Sequence, residues 1–294
     1  TSIEFAKNNP VSLESGTSHK MQLVTGPANA TDHRIKWTSS NKTAATVDEN
    51  GTVTALRPIE TVTITAVYKT NPALTCSWNL KITRTKGYIT KQMLDNLDLT
   101  AIKKVMITAH PDDETLWGGG HLIEGEYLVV CMTHGWNPKR RTAFEQTMRT
   151  TNDKYLILDY PDVRKTFSNG KYETDMLSTC KNAMQEDINL ILSYKKWDLI
   201  ATHNPFGEYG KFLHKTISQM VTQCYNKMTN KSATLYYFGR YYNSSNKIPG
   251  EQIAPELLAI KNSMVDRYYP TAKGAIVAFG HMIPYENWLL PSEW

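Results

Sequence analysis

The spacing of apolar residues changes character near residue 85. Before it, short segments of alternating apolar and polar residues recur at 21–24, 33–37, 61–68 and 77–83, separated by turn-rich pieces at 26–29, 39–41 and 48–51. None of these segments has helical periodicity. Many short strands at regular spacing, rich in Thr and Val, predict an all-β antiparallel sandwich over residues 1–85. Beyond it, continuous apolar runs at 105–107, 127–132, 155–158, 197–201 and 233–238 alternate with stretches of helical spacing, notably 176–194 and 255–268. Unbroken apolar strands between helices predict an α/β domain over 86–294, with a largely parallel sheet covered on both faces. Residues 90–97 read as a short amphipathic helix with Thr90 at its cap.

Two of these runs end abruptly in candidate metal ligands. Val105-Met-Ile-Thr-Ala is followed by His110-Pro-Asp112-Asp113-Glu114. Carboxylates crowded beside an imidazole repel one another and are costly to desolvate without a counter-ion, and a divalent cation removes that difficulty. Taken alone, the acidic run reads equally well as a solvated turn capping the next helix. The second run leads into His203-Asn-Pro-Phe-Gly207-Glu208-Tyr209-Gly210-Lys211-Phe-Leu-His214, with His214 near the start of a helix. Either histidine by itself is explained as an ordinary core or surface residue. Both clusters follow strands, and ligands of open α/β sheets bind at the carboxyl ends of strands, so the pair points to one metal site.

Other positions carry weaker signals. His134 sits at the end of the 126–133 strand, where it contacts a substrate or is a polar loop residue. Gly118-Gly-Gly120 weakens a helix and so serves close packing or close approach of a substrate. A phosphate-cradling loop is not supported, since neither G-x-G-x-x-G nor a Walker lysine is present. His281 and the aromatic residues Tyr285, Trp288 and Trp294 pack around a cleft, and His281 either binds substrate or bonds to backbone.

The net charge of +5 lies in short groups such as Lys139-Arg140-Arg141, without the long basic stripe that nucleic-acid binding needs. No segment approaches the apolar length of a membrane span, and no signal-peptide pattern opens at Thr1. The four cysteines show no C-x-x-C spacing; Cys131 reads as a core residue, and a Cys180–Cys224 disulfide has nothing to argue for it.

The hexapeptide Ala109-His110-Pro111-Asp112-Asp113-Glu114 with Trp117-Gly-Gly-Gly120, and Thr202-His203-Asn204 with Gly207-Glu208-Tyr209-Gly210 leading to His214, resemble the PIG-L/LmbE family of zinc-dependent N-deacetylases. The resemblance runs from about residue 103 to near the C-terminus. It implies a Rossmann-like fold and a Zn2+ ion on His110, Asp113 and His214 with one position left for water, although the same ligands accept other divalent metals. It further implies Asp112 as general base, Tyr209 as support for the tetrahedral intermediate, Arg140 or Arg141 as a substrate-binding residue, and Glu114 as a brace for a histidine or the loop. The chain departs from the family where G-H-x-x-H is expected: Lys211 replaces the first histidine and Leu213 precedes the second. Lys211 offers a positive charge there, and His203 and His281 are candidates to take over or to bind substrate. The implied reaction removes acetyl from an N-acetylhexosamine of a surface or extracellular glycan. A carbohydrate-binding or adhesion protein with a degenerate deacetylase fold is the alternative, and an acyl hydrolase of a non-sugar substrate is a third reading.

The stretch Trp37-Thr-Ser-Ser-Asn41, followed by Ala45-Thr-Val-Asp48-Glu-Asn-Gly51-Thr-Val-Thr-Ala55, resembles the bacterial Ig-like group 2 module. That resemblance implies a secreted bacterial protein at the cell surface or outside it, with Trp37 in a core.

Overall fold

The computed structural model describes residues 2–26, 34–162, 175–229 and 232–294. Among the described residues the first part holds nine strands: Ser2–Phe5 (β1), Ser12–Glu14 (β2), Ser18–Lys20 (β3), Leu23–Gly26 (β4), Ile35–Ser39 (β5), Ala45–Val47 (β6), Thr52–Ala55 (β7), Ile59–Tyr68 (β8) and Thr75–Thr83 (β9). They form sheets ordered β1-β4, β2-β9-β8-β5 and β3-β7-β6. The pairing is antiparallel except between β2 and β9, which run parallel from Ser12↔Lys81 to Glu14↔Thr83. Alternation along β8 buries Val62, Ile64, Ala66 and Tyr68, which join Ile3, Val53, Leu80 and Ile82 in one apolar cluster. Trp37 packs against that cluster edge-on to Phe5, at 6.0 Å between ring centroids. The turn beside it needs its glycine: Gly51 has φ +80, and a Cβ there would run into the Trp37 ring. Asp48 Oδ1 fixes the same turn by accepting from Asn50 N and Thr52 N at 2.9 and 2.8 Å.

The second part alternates helices and strands, with two helices in succession after its fourth strand. Helix α1 (Lys91–Asp95), capped by Thr90 Oγ1 accepting from Met93 N, precedes β10 (Lys104–Thr108). Then follow α2 (Asp113–Glu124), β11 (Tyr127–Thr133), α3 (Pro138–Thr151), β12 (Lys154–Tyr160), α4 (Asp175–Tyr194) and β13 (Leu199–Thr202). A single turn α5 (Gly207–Gly210), α6 (Phe212–Lys227), β14 (Thr234–Tyr237) and α7 (Pro255–Phe279) complete it. The strands form one five-stranded sheet, ordered β12-β11-β10-β13-β14, with every pairing parallel. Val105, Met106 and Ile107 of β10 and Leu128 to Met132 of β11 are fully buried, as continuous apolar runs require of a sheet covered on both faces.

The chain divides into two compact units, one comprising Thr1–Lys86 and the start of α4 through Ala183, the other beginning at Gly87. Helix α7 differs from its sequence expectation: it continues through Pro270 to Phe279, with a kink at Ala272 (φ −130, ψ 21). Its buried stripe, Met264, Val265, Tyr268, Ala272 and Ile276, offsets the hydrogen bond that the proline removes. The four cysteines are free thiols, with Cys131 buried in β11. Among the described residues no helix is long and apolar enough to cross a membrane.

Strand order reverses between β10 and β13. A crevice forms outside the carboxyl ends of strands at such a point, and the loops that leave these two strands begin at Ala109 and His203.

Candidate metal centre

The loop after β10 is tied to itself and to its neighbour. His110 N donates to Asp113 Oδ2 at 2.7 Å, and Ala109 N donates to His203 Nε2 at 2.9 Å across the reversal point. Asp112 occupies the position before α2 with φ 137 and ψ −31, a conformation that side chains rarely adopt, and its carboxylate makes no capping bond to the helix. A plain capping role for this residue is thereby excluded. Glu114, fully buried, holds the strained segment: it accepts from Asp112 N at 3.1 Å, from Thr115 Oγ1 at 2.7 Å and from the Tyr268 hydroxyl of α7 at 2.6 Å. Of the two roles expected for Glu114, this is bracing of the loop, not of a histidine.

His110, Asp113 and His214 converge. His110 Nδ1 lies 3.1 Å from His214 Nε2 and 3.2 Å from Asp113 Oδ2, and His214 Nε2 lies 3.4 Å from the same oxygen. All three residues are buried. Their outer nitrogens face carboxylates: His110 Nε2 donates to Asp162 Oδ1 at 3.0 Å and His214 Nδ1 to Glu208 Oε2 at 2.5 Å. A carboxylate only accepts, so each outer nitrogen carries a proton, and a ring in its neutral form then turns a lone pair inward, the form a bound cation requires. Two nitrogen lone pairs and a carboxylate oxygen within 3.4 Å of one another repel unless a cation lies among them. Tetrahedral coordination with bonds of about 2.0–2.1 Å sets ligand atoms about 3.3 Å apart, close to the three observed edges.

The electrostatics agree. Burial opposes charge on His110, but Asp162 and Asp113 more than offset it and raise the imidazole to about 10, so without a metal the ring holds a second proton that a cation would displace: the site draws in positive charge either way. Burial and the neighbouring Asp113 push Asp112 up to about 7. Burial works against ionisation of Asp113 too, yet His214 and His203 hold its carboxyl well below the usual range.

The remaining candidates divide. Arg140 Nη1 reaches to 3.9 Å from Asp112 Oδ1, and its Nη2 donates to Thr271 O at 3.3 Å. Arg141 turns away, donating from Nε to Gly135 O at 2.6 Å with Glu145 beside it at 3.7 Å. His203 is fully buried between Ala109 N and Glu208, with Nδ1 3.1 Å from Glu208 Oε2, so both its nitrogens are used internally. His281 bonds to the Tyr242 carbonyl at 2.8 Å, the backbone alternative raised for it. Tyr209 is 39% exposed, its ring edge-on to His214 at 5.8 Å. Lys211 is exposed immediately before α6. His134, buried with φ 65, points Nε2 at Asp162 Oδ2 at 3.4 Å. Asp162 had no place among the sequence candidates, although it follows β12 on the same carboxyl edge; Glu208 lay inside the quoted motif without a role.

Residues 1–77 match the bacterial Ig-like domain (group 2). The uncharacterized protein L374 of Acanthamoeba polyphaga mimivirus is 31% identical over 175 residues, which cover 54% of this chain and 67% of L374. The chain belongs to the L374 family. The uncharacterized protein CA_P0160 of Clostridium acetobutylicum is 32% identical to this L374-family chain over 117 residues, 40% of the chain but only 12% of that protein. Among solved structures, the conserved protein TT1542 from Thermus thermophilus superposes with a TM-score of 0.44 at 12% identity, covering 66% of the L374-family chain and 96% of its own.

Proposed function

We propose that the α/β unit is a metal-dependent hydrolase that removes acetyl from an N-acetylhexosamine of a surface or extracellular glycan. The observation that carries this reading is the convergence of His110 Nδ1, Asp113 Oδ2 and His214 Nε2 at 3.1–3.4 Å. The likeness of both loops to the PIG-L/LmbE deacetylases, and a strand order that follows the Rossmann-like pattern, support it. Zinc suits two imidazoles and one carboxylate; when bound, it lowers the pKa of water to about 7 and polarises an amide carbonyl.

The chain's own groups supply the rest. Asp112, held out of the helix and near neutral pH in its proton affinity, takes a proton from the attacking water and returns it to the departing amine. Arg140, 3.9 Å from Asp112 Oδ1, keeps that carboxylate oriented and offers a cation to substrate oxygens. The Tyr209 phenol, partly exposed beside His214, donates to the oxyanion without adding charge. A bacterial-surface or extracellular setting for the activity is supported by the Ig-like module, by analogy with its use elsewhere.

Lys211 favours a second reading, a glycan-binding protein that has lost catalysis, because an exposed lysine stands where the resembled family has a proton-shuttling histidine. Acetate release from N-acetylglucosamine oligomers, measured with added zinc, separates the two. Hydrolysis predicts acetate that disappears in Asp112→Ala at unchanged zinc content. Stoichiometric zinc and sugar binding without acetate release establishes the second reading instead.

A further inference from the structure

We infer that Glu208 is a positioning residue that locks the two strand-end loops into one metal centre, by holding the protons of both His203 and His214 on Nδ1. The inference rests on the metal reading above and names what orients its ligands. Glu208 Oε2 lies 2.5 Å from His214 Nδ1 and 3.1 Å from His203 Nδ1, and all three side chains are buried. Because the carboxylate only accepts, both imidazoles present N–H to it; His203 Nε2 accepts from Ala109 N and is therefore bare, and a neutral His214 ring leaves its Nε2 bare as well.

The two bare nitrogens do different work. That of His214 faces His110 Nδ1 and Asp113 Oδ2, where a metal binds. That of His203 accepts from Ala109 N at 2.9 Å, fixing the backbone one residue before His110. One oxygen thus orients a ligand on its own loop and, through a stacked ring at 3.9 Å, the entry of the loop from β10. Neither histidine can reverse its proton without losing a bond: His214 its ligand lone pair, His203 the acceptor for Ala109.

The backbone is shaped for this task. Glu208 has φ 53 and ψ −65, sparsely populated for a residue with a side chain, and such strain persists only where the surroundings over-determine it. Asn204 does so: its Oδ1 accepts from Phe206 N at 3.0 Å and Glu208 N at 3.1 Å, its own N donates to Glu208 Oε1 at 3.1 Å, and its Nδ2 donates to Phe238 O and Gly239 O. Leu213 leaves no acid next to His214 in sequence, so the carboxylate arrives from the strained turn upstream. Partners of this kind typically change metal affinity roughly 10- to 100-fold when removed.

Two measurements test the assignment. In the unaltered full-length protein, magnetic resonance of isotope-labelled histidine nitrogens is expected to show neutral Nδ1–H rings at His203 and His214. A proton on Nε2 of either ring overturns the inference, and this measurement needs no variant to fold. Glu208→Gln is then expected to bind zinc roughly 10- to 100-fold more weakly in competition with a chelating dye, and to alter the absorption bands of the cobalt(II)-loaded protein. Binding within twofold of the parent with unchanged cobalt bands overturns the inference alone. A parent protein that takes up neither zinc nor cobalt overturns the metal reading and the inference together.

Discussion

The sandwich and the α/β unit treat polar side chains in opposite ways. Among the described residues between 2 and 86, the buried polar side chains are those of Asn9 and Ser15, both neutral, and charged groups such as Asp48 serve turns from the surface. The α/β unit buries His110, Asp112, Asp113, Glu114, His203, Glu208, His214 and Lys261. Desolvating charge is expensive unless each group is paired and hydrogen-bonded, so a fold selected for stability alone has no reason to gather these residues. The contrast separates a module that holds its shape by alternation and turn chemistry from one that gives up stability to assemble a site.

The contrast is sharpest at a pair that belongs to neither loop. Lys261 of α7, fully buried, donates to Glu286 Oε1 at 2.6 Å and to Leu116 O at 3.2 Å. Glu286 also accepts from Gly120 N, His121 N and His121 Nδ1, binding the C-terminal segment to α2. Lys261→Met removes one partner of a buried ion pair and is expected to cost about 3–5 kcal/mol in urea unfolding. Burial opposes charge on Glu286, yet Lys261 and His121 more than offset it and hold its carboxyl at about 2, below the ordinary 4.5. A depressed folded value means that its contribution is fully present above pH 4.5 and is lost as pH falls through about 2. Without Lys261 the Glu286 carboxyl loses the charge that does most to depress it, so the variant should lose less stability than the parent as pH falls from 4.5 towards about 2, and the cost of the substitution should shrink there. A loss under about 1 kcal/mol would show that the unit tolerates buried charge as easily as the sandwich tolerates exposed charge.

Metal removal sharpens the same comparison. With metal at about 100 times its Kd, binding stabilises the folded state by about 2.7 kcal/mol. Hydrogen exchange on adding a chelator should accelerate in the segments following β10 and β13, and leave β8 and β9 unchanged. Equal acceleration in both units, or none in either, contradicts a centre confined to one of them.

What could be read from sequence follows the same division. Local rules were enough for the Asp48–Gly51 turn, the Thr90 cap and the apolar strands that carry His110 and His203 to the sheet edge, because period and turn chemistry are properties of neighbours in the chain. Asp162 and Glu208 were not read as partners of the ligands, since their task depends on which nitrogen of a distant ring faces them. Lys261 was equally hidden: a lysine in a helical pattern reads as surface, and its burial depends on Glu286 arriving from the C-terminal segment. The glycines at 118–120 were legible as a demand for close packing. The structure names what packs there: a Cβ on Gly119 would lie 2.9 Å from Lys261 Cγ, and one on Gly120 would lie 3.1 Å from Glu286 Oε2.

A second lysine gives the smallest effect and the cleanest control. Lys81 of β9 pairs with Glu60 of β8 at 3.1 Å, a contact that on distance alone resembles that of Lys261. Its side chain is 32% exposed and that of Glu60 58%, so water screens the attraction and little desolvation was needed to form it. Exposed pairs contribute about 0.2–1 kcal/mol, less as salt rises, so Lys81→Met should shift urea unfolding by less than about 1 kcal/mol and the shift should shrink in concentrated salt. The Lys261→Met penalty should persist in the same salt, because its pair lies out of reach of the ions. If the two substitutions cost the same, or respond to salt alike, burial does not distinguish how the two units carry charge.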